Sequence, residues 1–249
     1  MSMRPNIQTA LHLLFPPRCV GCGDLVESDF GLCGTCWRDT PFIGGLVCDA
    51  CGAPLPGDIS DQGVQCDDCM ATPRPWTQGR AAMLYKASGR KMVLALKHGD
   101  RHDIVRPATF WMTRVAKPLV RENMLVAPVP LHWSRFLKRK FNQSALLARE
   151  LARELGLGYC PDLLHRPRRT GSLDGLNLSQ RFARLAPSST ALARRALQMP
   201  GRPVLLVDDV MTTGATLTAA ANACLASQAS EVFIVALARV AKDAYIAQT

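Results

Sequence analysis

The chain has 249 residues, of which 48% are hydrophobic and 20% charged, a globular composition that excludes wholesale disorder. No apolar run approaches the ~18–20 residues needed to cross a bilayer, so membrane insertion by a helix is not expected. The net charge of +10 is uneven: residues 80–202 carry 24 of the 30 basic and 7 of the 20 acidic residues, which suits either a polyanionic partner or a plainly solvated surface.

The first residues, MSMRPNIQTALHLLFPPRC, lack a long apolar stretch with a small-residue cleavage site, and the chain reads as cytoplasmic. Eight of the ten cysteines precede residue 70 as four C-x-x-C pairs: Cys19/Cys22, Cys33/Cys36, Cys48/Cys51 and Cys66/Cys69. Each C-x-x-C turn aims two thiolates at one ion, and two turns complete a tetrahedral S4 set. Glycines 21, 23, 34 and 52 supply the tight backbone of such knuckles. Disulfides are the competing chemistry, disfavoured in a reducing compartment. Eight thiolates make two Zn2+ sites, with no position left for water, so the metal is structural. Consecutive pairing (19/22/33/36 and 48/51/66/69) is preferred because the inner loops are hairpin-sized; an interleaved cross-brace is the alternative. Cys160 and Cys224 stand alone in apolar surroundings and read as small buried hydrophobes.

The zinc module occupies residues 1–72. The segment MATPRPWTQ (70–78) has two prolines and no apolar period, and reads as a linker. From residue 79 to 249, strands and helices alternate. Strands are expected at 80–85, 125–130, 203–208 and 231–238, with helices after Gly89, at 142–155 and at 216–227. This alternation predicts an α/β domain with a parallel sheet flanked by helices.

The most specific segment is VLLVDDVMTTGAT, residues 204–216. An apolar strand delivers Asp208 and Asp209 to its carboxyl end, where open α/β sheets bind ligands. Thr212, Thr213, Gly214, Ala215 and Thr216 then open a helix, offering N–H groups and hydroxyls to a phosphate. The carboxylates can accept hydrogen bonds from sugar hydroxyls beside it. A 5-phosphoribose group meets both demands.

Residues 204–216 resemble the phosphoribosyl-pyrophosphate (PRPP) signature of type I phosphoribosyltransferases. Four C-x-x-C pairs, LKHG at 96–99, APVPLHWSRFLKRKFNQ at 127–143 and that signature together resemble the ComF/GntX group over nearly the whole chain. The resemblance implies a type I phosphoribosyltransferase-like domain behind a double zinc ribbon. Its ligand would be PRPP or a 5-phosphoribosyl nucleotide with Mg2+. It implies that residues 129–135 hold pyrophosphate, which brings in His132 and Arg135, although an isolated His132 also reads as a surface residue. Residues 166–184 would cover the site. Asp208, Asp209, Arg181 and Lys97 are the catalytic candidates, the two cations neutralising the leaving group. The departures are Lys140 for glycine, Leu173 for glutamine and Arg184 for asparagine; they bear on turnover rather than on PRPP binding. A glutaminase has no room in this chain, so glutamine-dependent amide transfer is not expected.

Arg135, Lys138, Arg139 and Lys140 sit among Trp133, Phe136 and Phe141. This mixture suits single-stranded DNA, with bases stacked and phosphates paired; core aromatics beside pyrophosphate-binding charges explain it equally well. The resemblance to ComF implies a role in DNA uptake or nucleotide salvage and a helicase-like uptake partner. The alternative to a phosphoribosyltransferase is a non-catalytic DNA-binding protein or PRPP sensor on the same scaffold.

Overall fold

The structure is a computed structural model that describes residues 15–27, 31–58, 63–98, 101–130, 142–166 and 189–241. Its helices are α1 (Gly34–Asp39), α2 (Asp67–Ala71), α3 (Ala87–His98), α4 (Val105–Ala116), α5 (Gln143–Leu155), α6 (Ala193–Ala196) and α7 (Ala215–Ala226). Its strands are β1 (Gln78–Leu84), β2 (Leu125–Pro128), β3 (Gly158–Tyr159), β4 (Leu164–His165), β5 (Thr190–Ala191), β6 (Val204–Met211) and β7 (Val232–Arg239). Five strands form one parallel sheet in the order β1-β7-β6-β2-β3, and β4 and β5 pair antiparallel beside it.

The central strands are apolar runs because both their faces are covered. Val204–Val207 and all of β7 are buried. Leu205, Val207, Phe233 and Val235 face a core built with α3, α4 and α5, where Leu147, Ala148, Leu151 and Ala152 form the inward stripe of α5. Val204, Leu206, Ile234 and Ala236 face the opposite way, toward α7 and the second cysteine cluster. The alternation along each strand thus divides the core into two layers.

Local signals set the element ends. The Asn142 side chain accepts from the Ser144 N–H and starts α5, and Gly156, at φ 67°, closes it in the left-handed region. One strand runs further than its sequence suggests. β6 continues three residues past Asp208, because β7 goes on pairing with it through Val210↔Ala238 and Met211↔Arg239. The two acids therefore lie inside the strand, not at its tip.

The cysteine-rich region is fastened to the sheet. Phe42 bridges Met83, and the Ile43 and Leu84 N–H groups donate to Ala82 and Pro41, so residues 41–43 cover the β1 edge. Arg80 forms a 2.6 Å ion pair with Asp49. Trp76, in the segment read as a linker, is 4% exposed, and its ring N–H donates to the Ala50 carbonyl. Among the described residues no helix is long and apolar enough to cross a membrane.

Candidate functional site

The turn after β6 requires a glycine. Gly214 is the N-cap of α7 with φ 82°, a conformation glycine adopts without strain. A Cβ there would lie 2.8 Å from Met211 Cε, 3.2 Å from Trp76 Cη2 and 3.3 Å from Arg74 Nη1. The Ala215 N–H donates to Thr213 Oγ1 at 3.4 Å. Arg74 Nη1 donates to the Thr213 carbonyl at 3.0 Å, holding the turn from the cysteine-rich side. The twelve-residue α7 begins here with its N–H end and the positive pole of its dipole.

Each acid has polar partners from a different helix. The Ser144 hydroxyl on α5 donates to Asp208 Oδ1 at 3.0 Å, and the Asp209 N–H donates to the same oxygen at 2.9 Å. Lys97 on α3 pairs with Asp209 Oδ1 at 3.0 Å. Asp209 is buried and Asp208 half-buried. Burial and then the neighbouring Asp209 charge push the Asp208 carboxyl up to about 7, against the pull of Lys97 and of the Ser144 hydroxyl. Two adjacent carboxyl groups thus stand in β6 two residues ahead of the turn, each with polar partners. His132, Arg135, Lys138, Arg139, Lys140 and Arg181 lie outside the described residues.

The other candidate ligands are the cysteines, and they assemble as consecutive pairs. Cys19, Cys22, Cys33 and Cys36 form one cluster and Cys48, Cys51, Cys66 and Cys69 the other, with all sulfurs of a cluster within 4.8 Å of one another. The Cys22–Cys33 and Cys51–Cys66 sulfurs are each 3.7 Å apart. Tetrahedral zinc with Zn–S near ~2.3 Å requires edges of about 3.8 Å. Backbone N–H groups of Gly21 and Cys33 donate to Cys19 Sγ, as knuckle geometry demands. Both clusters fit structural zinc sites. The Cys48 and then the Cys51 thiol, with Arg74 beside them, draw the Cys69 sulfur down to about 3. The second cluster is buried at all four residues, whereas Cys22 of the first is exposed.

The Double zinc ribbon domain family matches residues 10–70 and the Phosphoribosyl transferase domain family matches residues 142–245. DNA utilization protein YhgH of Escherichia coli (strain K12) is 28% identical over 220 residues, 86% of this chain and 93% of the relative. Competence protein F of Haemophilus influenzae is 27% identical over 206 residues, 80% of this chain and 87% of the relative. The chain is thus similar over most of its length to proteins named for DNA utilization and competence. A crystal structure of adenine phosphoribosyltransferase from Thermoanaerobacter pseudethanolicus is also similar, at TM-score 0.34 and 16% identity, covering 59% of this chain and 84% of that one.

Three contacts around the site escape sequence reasoning. Ser144, Gln143 and Arg74 reach it from 64 residues away, from a neighbouring helix and from 139 residues away respectively. The Gln143 amide donates to the Lys97 carbonyl at 3.4 Å, and the Asn142 amide to the Val129 carbonyl at the same distance. The first three residues from Asn142 therefore tie together α3, the end of β2 and the β6 acids. The only hint in the sequence is polar N-Q-S at the head of an otherwise apolar-striped helix. Cys160 and Cys224 are buried as expected, and burial pushes the Cys224 thiol up to about 12.

Proposed function

We propose that this chain binds PRPP, or a nucleotide carrying the same 5-phosphoribosyl group, at the carboxyl end of β6. The 5-phosphate takes the N–H groups of residues 212–216, and the ribose hydroxyls donate to Asp208 and Asp209. What carries the reading is one juxtaposition: two adjacent, polar-partnered acids in β6 precede, by two strand residues, the turn that opens α7 at Gly214. A phosphate needs the N–H cup, and a sugar needs acceptors beside it.

The proposed reaction is transfer of the 5-phosphoribosyl group with release of pyrophosphate. Mg2+ brought in with PRPP would withdraw charge from the leaving group. Lys97 is the described cation paired with a β6 acid; Arg135 and Arg181 are proposed to join it. As the ribose C1–O bond breaks, negative charge grows on pyrophosphate, and fixed cations lower the barrier by meeting that charge.

Calorimetry with PRPP and Mg2+ tests the binding step, and pyrophosphate release over a panel of bases and amines tests turnover. The expected result is binding that Asp208→Asn/Asp209→Asn abolishes. No heat of binding from the unaltered protein overturns the reading.

A second reading has its own support in the relatives named for DNA utilization and competence and in the basic residues 80–202. In it the chain engages single-stranded DNA through Arg135, Lys138, Arg139 and Lys140 and works beside a helicase-like uptake partner. Affinity for single-stranded DNA should then fall steeply with salt.

A further inference from the structure

The second cysteine cluster and the phosphate turn share an arginine. Arg74 Nε donates to Cys69 Sγ at 3.5 Å while its Nη1 donates to the Thr213 carbonyl at 3.0 Å. The same guanidinium lies 5.7 Å above the Trp76 ring, and Trp76 donates to Ala50 inside the Cys48–Cys51 knuckle. Both side chains also bound the space where a Gly214 Cβ would stand. One planar fork therefore touches a metal-ligand sulfur and the backbone of the turn at once, which a point-charge ammonium could not do.

Charge points the same way. Four thiolates on one Zn2+ leave a net charge of about −2 in a buried setting, which calls for cations nearby. Arg74 supplies one.

We propose that Arg74 is a positioning residue that couples metal occupancy of the Cys48/Cys51/Cys66/Cys69 site to the geometry of the 212–216 turn. The ligand half of this coupling rests on the reading that the turn binds PRPP. With zinc in place, the Cys69 thiolate fixes the guanidinium, and the guanidinium fixes the Thr213 carbonyl so that the following N–H groups face the ligand. With zinc lost, the anchor goes and the turn relaxes. By reciprocity of linked equilibria, PRPP in turn tightens the metal.

The test uses the full zinc-loaded chain. Zinc loss to a chelator is followed by alkylation and mass mapping of the freed cysteines, and the turn is followed by hydrogen exchange over residues 211–217 without ligand. Arg74→Gln should release zinc from the second site about tenfold faster, leave Cys19–Cys36 unaffected and weaken PRPP by at least about fivefold. Arg74→Lys, which keeps the charge without the fork, should retain both zinc ions yet exchange faster at the turn. In the unaltered protein, saturating PRPP should slow loss from the second site alone. Zinc release from Arg74→Gln at the wild-type rate, or Arg74→Lys with unaltered exchange at the turn, overturns the coupling. Absence of PRPP binding to the unaltered protein removes the ligand reading, while the zinc and exchange measurements still decide for or against Arg74.

Discussion

Lys97 Nζ and Asp209 Oδ1 stand 3.0 Å apart, with only 17% and 11% of the two side chains exposed. The ion pair joins α3 to β6 and spends the lysine's charge on a carboxylate of that strand. A phosphoribosyl ligand would meet a neutralised pair, not an isolated cation and an isolated anion.

Removing one partner should strand the other in a dry place. Lys97→Ala is expected to cost roughly 3 kcal/mol, at the low end for a buried pair because both groups keep some solvent. Removing Asp209 as well should restore part of that loss. Urea unfolding of the single and double variants measures it; additive losses would mean that the pair is not coupled.

Asp208 sets a pH dependence. Its carboxyl is raised from the ordinary 3.8 to about 7, so in that interval the folded chain holds a proton that the unfolded chain has released. The stabilisation is complete below pH about 4, declines as pH rises and is gone above pH about 7, amounting to a few kcal/mol at most. Asp208→Asn should therefore raise the Tm clearly at pH 8 and less at pH 5, since an amide can still accept from Ser144. An equal gain at both pH values, read by calorimetry, would contradict the shift.

Gly214→Ala should hurt twice. The left-handed backbone costs about 1–2 kcal/mol for a residue with a Cβ, and the added carbon would crowd Met211, Trp76 and Arg74. Thermal melts should register the loss, and PRPP binding should weaken by more than the lost stability alone accounts for. A variant with wild-type Tm and affinity would mean that the turn has slack.

The sequence revealed the parts of this molecule that are local in the chain. The run of strand, turn and helix over 204–216 is contiguous, and the cysteine spacing carries its own geometry, so both could be read directly. Helix α5 announced itself through Asn142, an apolar stripe and Gly156. What stayed hidden depends on residues brought together from afar. Ser144 meets Asp208 only because α5 packs on β6, and Arg74 meets Thr213 only because the ribbon folds back on the sheet. The three extra residues of β6 were hidden too, because polar Asp208 and Asp209 end the apolar pattern while pairing with β7 continues. Trp76 escaped for a similar reason: two prolines nearby say linker, and nothing local says that an indole will be covered.

The second cysteine cluster is part of the same apolar layer as Leu206, Ile234 and Leu217. The ribbon therefore acts as a wall of the sheet domain and not as a detachable hook. A gene fragment starting at β1 would keep α7 but uncover the part of that face the cysteines close, leaving it prone to clump when expressed, and swapping ribbons between relatives would demand matching changes across that seam.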